Sequence, residues 1–328
     1  MNLQKDLEKN VTKNMVIKIK EKNNMTKNRD LISIGHSALD YIIRVPEFPK
    51  ANFSAPINDM KTFNGGAAAN VALVGAKLGL KTSLVSAVGG DFKKSNYYEV
   101  MESLDVNTDS LIIVPGETLP TAFVLTDEND DQISYFYWGA AKEFASSKVP
   151  TKAISNAQAV HLATGDPHFN WKCSVEAKNQ DLLVSFDPGQ DLGMYDTDKL
   201  KDVIANTTIL FGNHYEIGRI LESLEVDLDG LRELGPKIIV KTCGSNGSEI
   251  YSNTDKIKVD AILREAIDPT GAGDSYRAGF LSRFLNGESL EESAKFASSV
   301  SSFIVEEQGC QTNMPTFDDA FERMSEFY

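Results

Sequence analysis

The chain has 328 residues, 41% of them hydrophobic and 24% charged, enough for one large α/β domain or two small ones around a sizeable core. Its 33 basic and 47 acidic residues leave a net charge of −14, which argues against nucleic acid or an anionic membrane as the main partner and leaves room for a small ligand held by local positive potential. Three cysteines (Cys173, Cys243, Cys310) without C-x-x-C spacing argue against a zinc site or a disulfide framework and fit a reducing cytoplasm, and no apolar run approaches the roughly 18 residues of a membrane span or forms a signal-peptide core.

The first 29 residues carry eight basic and three acidic side chains with little apolar periodicity. They read as a disordered arm, a basic interaction arm, or a translation-start artefact upstream of Met25, ahead of a single domain over 30–328. From residue 31 onward short apolar runs alternate with helical patterns. Runs at 31–35, 82–89, 159–165, 182–187, 208–213 and 237–244 predict buried strands. Helices are predicted near 67–79, 91–104, 197–206, 214–224, 273–286 and 290–307. The alternation predicts an α/β fold with a doubly wound, mostly parallel sheet. Residues 41–64 and 121–138 break it as β segments without intervening helices and predict a small projecting sheet, placed to act as a lid that excludes water.

Several stretches carry candidate chemistry. Asp40 follows the first strand, where ligands gather in open α/β sheets, and its carboxylate can accept two neighbouring hydroxyls or sit in a solvated turn. Asn64-Gly-Gly-Ala-Ala-Ala-Asn70 leads into a helix: Gly65 and Gly66 permit close backbone approach, and the Asn70 amide can meet sugar hydroxyls, although the small residues also suit tight helix-on-sheet packing. In the second lid segment Tyr135, Phe136, Tyr137 and Trp138 alternate, so two of them face inward, for stacking on a base, for lid packing or for a dimer seam. Asn213 ends a predicted strand, where it can meet donor phosphates, and Glu216 follows three residues later, able to hold Mg²⁺ through water. Thr242-Cys-Gly-Ser-Asn-Gly247 is too short for a Walker loop, yet Thr242, Gly244, Ser245, Asn246 and Gly247 offer N–H and hydroxyl groups to nucleotide phosphates or ribose; by itself it is a hairpin turn. His36, His161, His168 and His214 lack metal-ligand spacing and read as locally hydrogen-bonded.

The most informative string is Asp268-Pro-Thr-Gly-Ala-Gly-Asp-Ser-Tyr-Arg-Ala-Gly-Phe280, a glycine turn followed by a helix with a carboxylate in its first turn. The N–H groups of Gly271, Ala272 and Gly273, at the positive end of a helix dipole, suit an anion. An acid there caps the helix or does chemistry. Asp274 within reach of a hydroxyl can accept its proton as the oxygen attacks phosphorus.

The Asp268–Gly279 string resembles the carboxy-terminal signature of the ribokinase-like (PfkB) carbohydrate kinases, and the string from Gly65 to Gly79 resembles their amino-terminal one. Within that family the chain is most similar to archaeal-type nucleoside kinases, on the strings Gly35-His-Ser-Ala-Leu-Asp40, Trp138-Gly-Ala-Ala-Lys142, Ala163-Thr-Gly-Asp-Pro167, Ser185-Phe-Asp-Pro-Gly-Gln190 and Gly309-Cys-Gln-Thr-Asn313. The resemblance implies transfer of the ATP γ-phosphate to a nucleoside 5′-hydroxyl with Mg²⁺ and broad base tolerance. By matching position it implies Asp40, Gly66 and Asn70 on the ribose, Gln132 and lid aromatics near the base, Gln190 as a further contact, Asn213 and 242–247 on ATP, and Asp274 as base. A glutamine found in the first lid segment of some relatives has no counterpart near Ala55-Pro-Ile57, and the Asn and Arg that fructokinase-like relatives carry near Gln190 are missing. A sugar or sugar-phosphate kinase is the alternative; a phosphosugar would need a basic cluster, for which the lid region offers Arg44, Lys61 and Lys142. A non-catalytic ligand-binding regulator would have no use for Asp274. A homodimer through the lid is a further expectation.

Overall fold

The structure, a computed structural model, describes residues 27–328 apart from Asp130 and Thr254, so the expected N-terminal arm lies, up to residue 26, outside the described residues. Fourteen strands appear among the described residues: β1 (Arg29–Ile34), β2 (Ala38–Arg44), β3 (Asp59–Gly65), β4 (Thr82–Val85), β5 (Ala87–Gly89), β6 (Ile112–Val114), β7 (Thr121–Thr126), β8 (Gln132–Tyr137), β9 (Ala157–Leu162), β10 (Leu183–Phe186), β11 (Ile209–Asn213), β12 (Ile238–Thr242), β13 (Ser248–Tyr251) and β14 (Lys256–Val259). Eight form the main sheet in the order β14-β13-β12-β11-β10-β9-β1-β4. The six from β12 to β4 run parallel, and β13 and β14 add an antiparallel edge.

Both faces of this sheet are covered, which is why its strands read as apolar runs rather than alternations. Leu31, Ala159, Leu183, Ile209 and Val240 belong to one core with the helices Ala67–Lys77, Ala272–Phe284, Leu290–Ile304 and Phe317–Phe327. Their strand neighbours Ile32, Val160, Val184, Leu210 and Ile239 belong to the other, with Pro167–Asn179, Thr197–Asn206 and His214–Leu224. The helix Pro167–Asn179 carries no clear apolar stripe in sequence; its start is set by the Asp166 side chain, which accepts the Phe169 N–H, and by Pro167 in the first turn. The segment expected as a helix over 91–104 is a 3₁₀ turn, Phe92–Lys94, followed by the helix Asn96–Ser103.

The two irregular segments form a separate four-stranded sheet in the order β3-β2-β7-β8, with β2 and β7 parallel and both outer strands antiparallel. It springs from the carboxyl end of β1, where the chain turns at Gly35–Ser37 into β2. The carboxyl ends of β1, β10, β11 and β12 and the amino ends of helices Ala67–Lys77 and Ala272–Phe284 thus converge beside it, at the position where open α/β sheets bind ligands. Among the described residues no helix is long and apolar enough to cross a membrane.

Candidate active site

Helix Ala272–Phe284 begins behind Gly271, whose left-handed φ of 77° fits glycine; a Cβ there would lie 2.0 Å from Cys310 Cβ. The turn is tied down from both sides. Asp268 accepts the N–H groups of Thr270 at 2.9 Å and Gly309 at 3.0 Å, and the Ala272 carbonyl accepts the hydroxyls of Ser275 at 2.9 Å and Ser301 at 2.7 Å. Of the three expected anion-binding N–H groups, that of Ala272 donates to the Pro269 carbonyl at 3.1 Å. Those of Gly271 and Gly273 have no protein partner among the described residues.

Asp274, in the first helical turn, accepts the Asn70 amide at Oδ2, 2.8 Å away. Burial pushes its carboxyl above the ordinary range and nearby Asp187 adds to that, while Arg277 and the Asn70 bond pull it down. The Asn70 carbonyl oxygen in turn accepts from Gln311 Nε2 at 2.8 Å and from the Cys310 thiol at 3.3 Å. Both ends of the Asn70 amide are therefore occupied by protein. The Asn70 amide thus also contacts the candidate base, through partners 204 and 241 positions away, and its second Nδ2 proton has no protein partner among the described residues.

Asp40 lies on β2 with its carboxylate against Gly65, where a Cβ would come within 2.1 Å of Oδ2. Gly66, at φ 93°, could not carry a side chain without meeting the backbone of His36, Ser37 and Ala38 at 2.6 Å. Burial pushes the Asp40 carboxyl up to about 6, with the charges of Asp274 and Asp268 adding to it. Two carboxyls near enough for one to raise the other favour a ligand that offers hydroxyl donors.

Near Asp274 lies a buried ion pair that sequence reasoning missed. Asp187, just past β10, pairs with Arg277, and both side chains are 6% exposed. Burial works against the Arg277 charge, but Asp187, Asp274 and Glu216 outweigh it and hold the guanidinium charged. The signal was present in part, since Arg277 stands three residues after Asp274 within an otherwise apolar helical face; its partner across the sheet was not readable.

Asn213 and Glu216 form a capping box at the start of helix His214–Leu224. The Asn213 side chain accepts from the N–H groups of Tyr215 and Glu216, both at 2.9 Å, and Glu216 Oε2 accepts the Asn213 N–H at 2.7 Å. Burial and Asp187 raise the Glu216 carboxyl, against the opposing pull of Arg277. No group of three metal-ligating side chains occurs among the described residues. A magnesium ion that keeps most of its waters needs no such group, and Glu216, with one carboxylate oxygen committed to the cap and the other not, fits water-mediated contact.

Thr242 to Gly247 join the antiparallel strands β12 and β13 as a hairpin closed by Cys243 N–H to Gly247 O at 2.8 Å, with Gly244, Ser245 and Asn246 exposed on a 3₁₀ turn. Gln190 is exposed on the 3₁₀ segment Gly189–Met194. Gln132 opens β8 opposite Thr126, four residues from the rung that joins Asp40, Ala122 and Phe136, so its backbone lies about 13 Å further out along the lid. Phe136 lies on the Asp40 rung itself, on the Asp40 face. With Trp138 it packs on His36, at centroid distances of 5.4 and 5.6 Å, and His36 Nε2 meets Asp191 Oδ2 at 3.2 Å. That contact agrees with the reading of His36 as locally hydrogen-bonded; its partner Asp191 carried no signal in the sequence. Of the lid-region cations, Lys61 bonds Gln308 at 2.9 Å and Lys142 lies over the Tyr137 ring.

Comparison with known proteins bears directly on this arrangement. Residues 28–317 match the pfkB family carbohydrate kinase model. A nucleoside kinase of Methanothermobacter thermautotrophicus is 56% identical over 301 residues, which cover 92% of this chain and 97% of that protein. A nucleoside kinase of Methanocaldococcus jannaschii is 44% identical over 299 residues, 91% of this chain and 97% of that protein. The crystal structure of a Methanocaldococcus jannaschii nucleoside kinase, an archaeal member of the ribokinase family, matches with a TM-score of 0.88 at 42% identity, over 92% of this chain and 100% of that one. The family match spans nearly all the described residues, the glycine turn and Asp274 among them: the chain belongs to the pfkB family of carbohydrate kinases.

Proposed function

We propose that this kinase transfers the γ-phosphoryl group of ATP to the 5′-hydroxyl of a nucleoside, with residues 30–328 as its kinase domain and segments 41–64 and 121–138 as its lid. The observation that carries this reading is Asp274, held by Asn70 at a helix amino end beside two unpartnered N–H groups. In this reading Asp40, Gly66 and Asn70 hold the ribose, Gln132 and the lid aromatic Phe136 approach the base, and Gln190 is a further contact. Asp274 takes the proton from the attacking hydroxyl, and the N–H groups of Gly271 and Gly273 meet the developing charge on the transferred group. Asn213 and the 242–247 hairpin lie toward the ATP phosphates, and Glu216 holds Mg²⁺ through water. When bound there, Mg²⁺ would supply neutralisation of charge on the ATP phosphates.

The nucleoside is preferred over a phosphosugar because the lid region offers a thin supply of cations, Arg44, Lys61 and Lys142, of which Lys61 bonds Gln308 and Lys142 lies over the Tyr137 ring. The relatives at 56% and 44% identity, both nucleoside kinases, point the same way. A homodimer through the lid is supported by Tyr135 and Tyr137, 63% and 45% exposed. The unpaired cysteines suit action in the cytoplasm.

The test is ADP release by purified protein across a panel of nucleosides, ribose, fructose and fructose 6-phosphate, with wild type and Asp274→Asn. Turnover with nucleosides that falls roughly 10²–10⁴-fold in the variant at little changed KM is expected. Signal from sugars alone would overturn the substrate assignment, and near-wild-type turnover of Asp274→Asn would overturn the base.

A further inference from the structure

Gln311 lies on the loop after helix Leu290–Ile304, close to Gly271 through its neighbour Cys310. Its Nε2 sits 2.8 Å from Asn70 Oδ1 and 2.8 Å from the Tyr97 hydroxyl, and that hydroxyl lies 2.6 Å from the Gly65 carbonyl. The polarity of this chain is fixed from one end. A carbonyl oxygen only accepts, so Tyr97 spends its single proton on Gly65 and must accept from Gln311. The Gln311 group facing Tyr97 is therefore its NH₂, and the same NH₂ faces Asn70. Asn70 must then present its oxygen to Gln311, which turns its own NH₂ toward Asp274. The Cys310 thiol, another donor on the Asn70 oxygen, reinforces that orientation, and burial keeps it protonated.

We propose that Gln311 is a positioning residue for phosphoryl transfer: together with Tyr97 it locks the Asn70 amide in the orientation that donates to Asp274, and so selects the ionised, proton-accepting form of the base. The inference rests on Asp274 being that base. With the Asn70 amide reversed, a carbonyl oxygen would face the carboxylate. Asp274 would then be stabilised as the protonated acid, which cannot take a proton from the substrate. Other charged or titratable groups around Asp274 are Arg277 on its own helix, Asp187 beyond β10, Asp40 on the lid, Glu216 on helix His214–Leu224 and Cys310. Of these only Cys310 bonds the Asn70 amide, and it offers a single weak thiol proton where Gln311 offers an amide NH₂.

The experiment is the pH dependence of kcat for wild type, Gln311→Met, Gln311→Glu, Tyr97→Phe and Asp274→Asn, with KM for nucleoside and ATP at each pH. Gln311→Met removes both donors at similar volume. Its acid limb is expected to move up by roughly one pH unit, so that kcat falls about tenfold at pH values on that limb and recovers toward wild type at higher pH, with both KM values nearly unchanged. Gln311→Glu, which puts an acceptor against Asn70, is expected to move the limb further, and Tyr97→Phe less. A uniform loss of kcat at every pH, or an unmoved limb in Gln311→Met and Tyr97→Phe, overturns the proposal. Should Gln311→Met fail to fold, Tyr97→Phe is read by the same criterion. Full activity in Asp274→Asn would instead sink the base assignment, which separates the two failures.

Discussion

Replacing Asp40 by Asn should make the protein more stable and less active, and the structure gives the size of the first effect. The carboxyl is held at about 6 against an ordinary 3.8, so the folded protein binds this proton more tightly than the unfolded chain does. Wild-type stability accordingly falls as pH rises from about 3.8 to about 6 and levels off above that. At about 1.4 kcal/mol per tenfold, the cost of ionising Asp40 in place approaches ~3 kcal/mol at pH 8 and shrinks to ~1 kcal/mol at pH 4.5. Asn keeps the shape without the charge, so urea denaturation of Asp40→Asn against wild type should show a gain of that order at pH 8 that narrows toward pH 4.5. Turnover assays should show KM for the nucleoside raised roughly 10- to 100-fold, the worth of hydrogen bonds to a charged acceptor. A variant no more stable than wild type at pH 8, or a gain equally large at both pH values, would refute the argument that burial and the neighbouring carboxylates strain this residue.

Other perturbations probe the parts around it. Arg277→Met leaves Asp187 buried without its partner and should cost about 3–5 kcal/mol in chemical denaturation; a loss under 1 kcal/mol would mean the pair is not isolated from water. Gly271→Ala must move either the turn or Cys310, so kcat should fall roughly 100-fold as Asp274 shifts, and unchanged kcat would contradict the tight approach. Asn213→Ala removes the acceptor of two helix N–H groups and should lower stability by about 1 kcal/mol, read by thermal or urea unfolding. Glu216→Gln should raise the Mg²⁺ concentration needed for half-maximal turnover while KM for the nucleoside stays put, and the reverse pattern would remove Glu216 from the metal.

What the chain determines by itself is what its local geometry encodes. The apolar runs and their alternation with helical stretches required a sheet covered on both faces, and two segments without helices required a separate small sheet. The turn at Gly271 with Asp274 behind it, and the glycines at 65–66, were legible because a left-handed φ and a helix amino end are properties of a few consecutive residues. The tertiary structure alone decided who touches whom. Asn70 meets Asp274 across 204 positions and Gln311 meets Asn70 across 241, so no spacing rule could have found either pair. Asp187, just past β10, and Arg277, on helix Ala272–Phe284, come together only in the folded chain. The elevated carboxyl of Asp40 likewise arises from burial and from Asp268 and Asp274, charges far away in sequence. Hydrogen bonds and charges act over a few ångströms of space, and the chain brings those ångströms together only by folding.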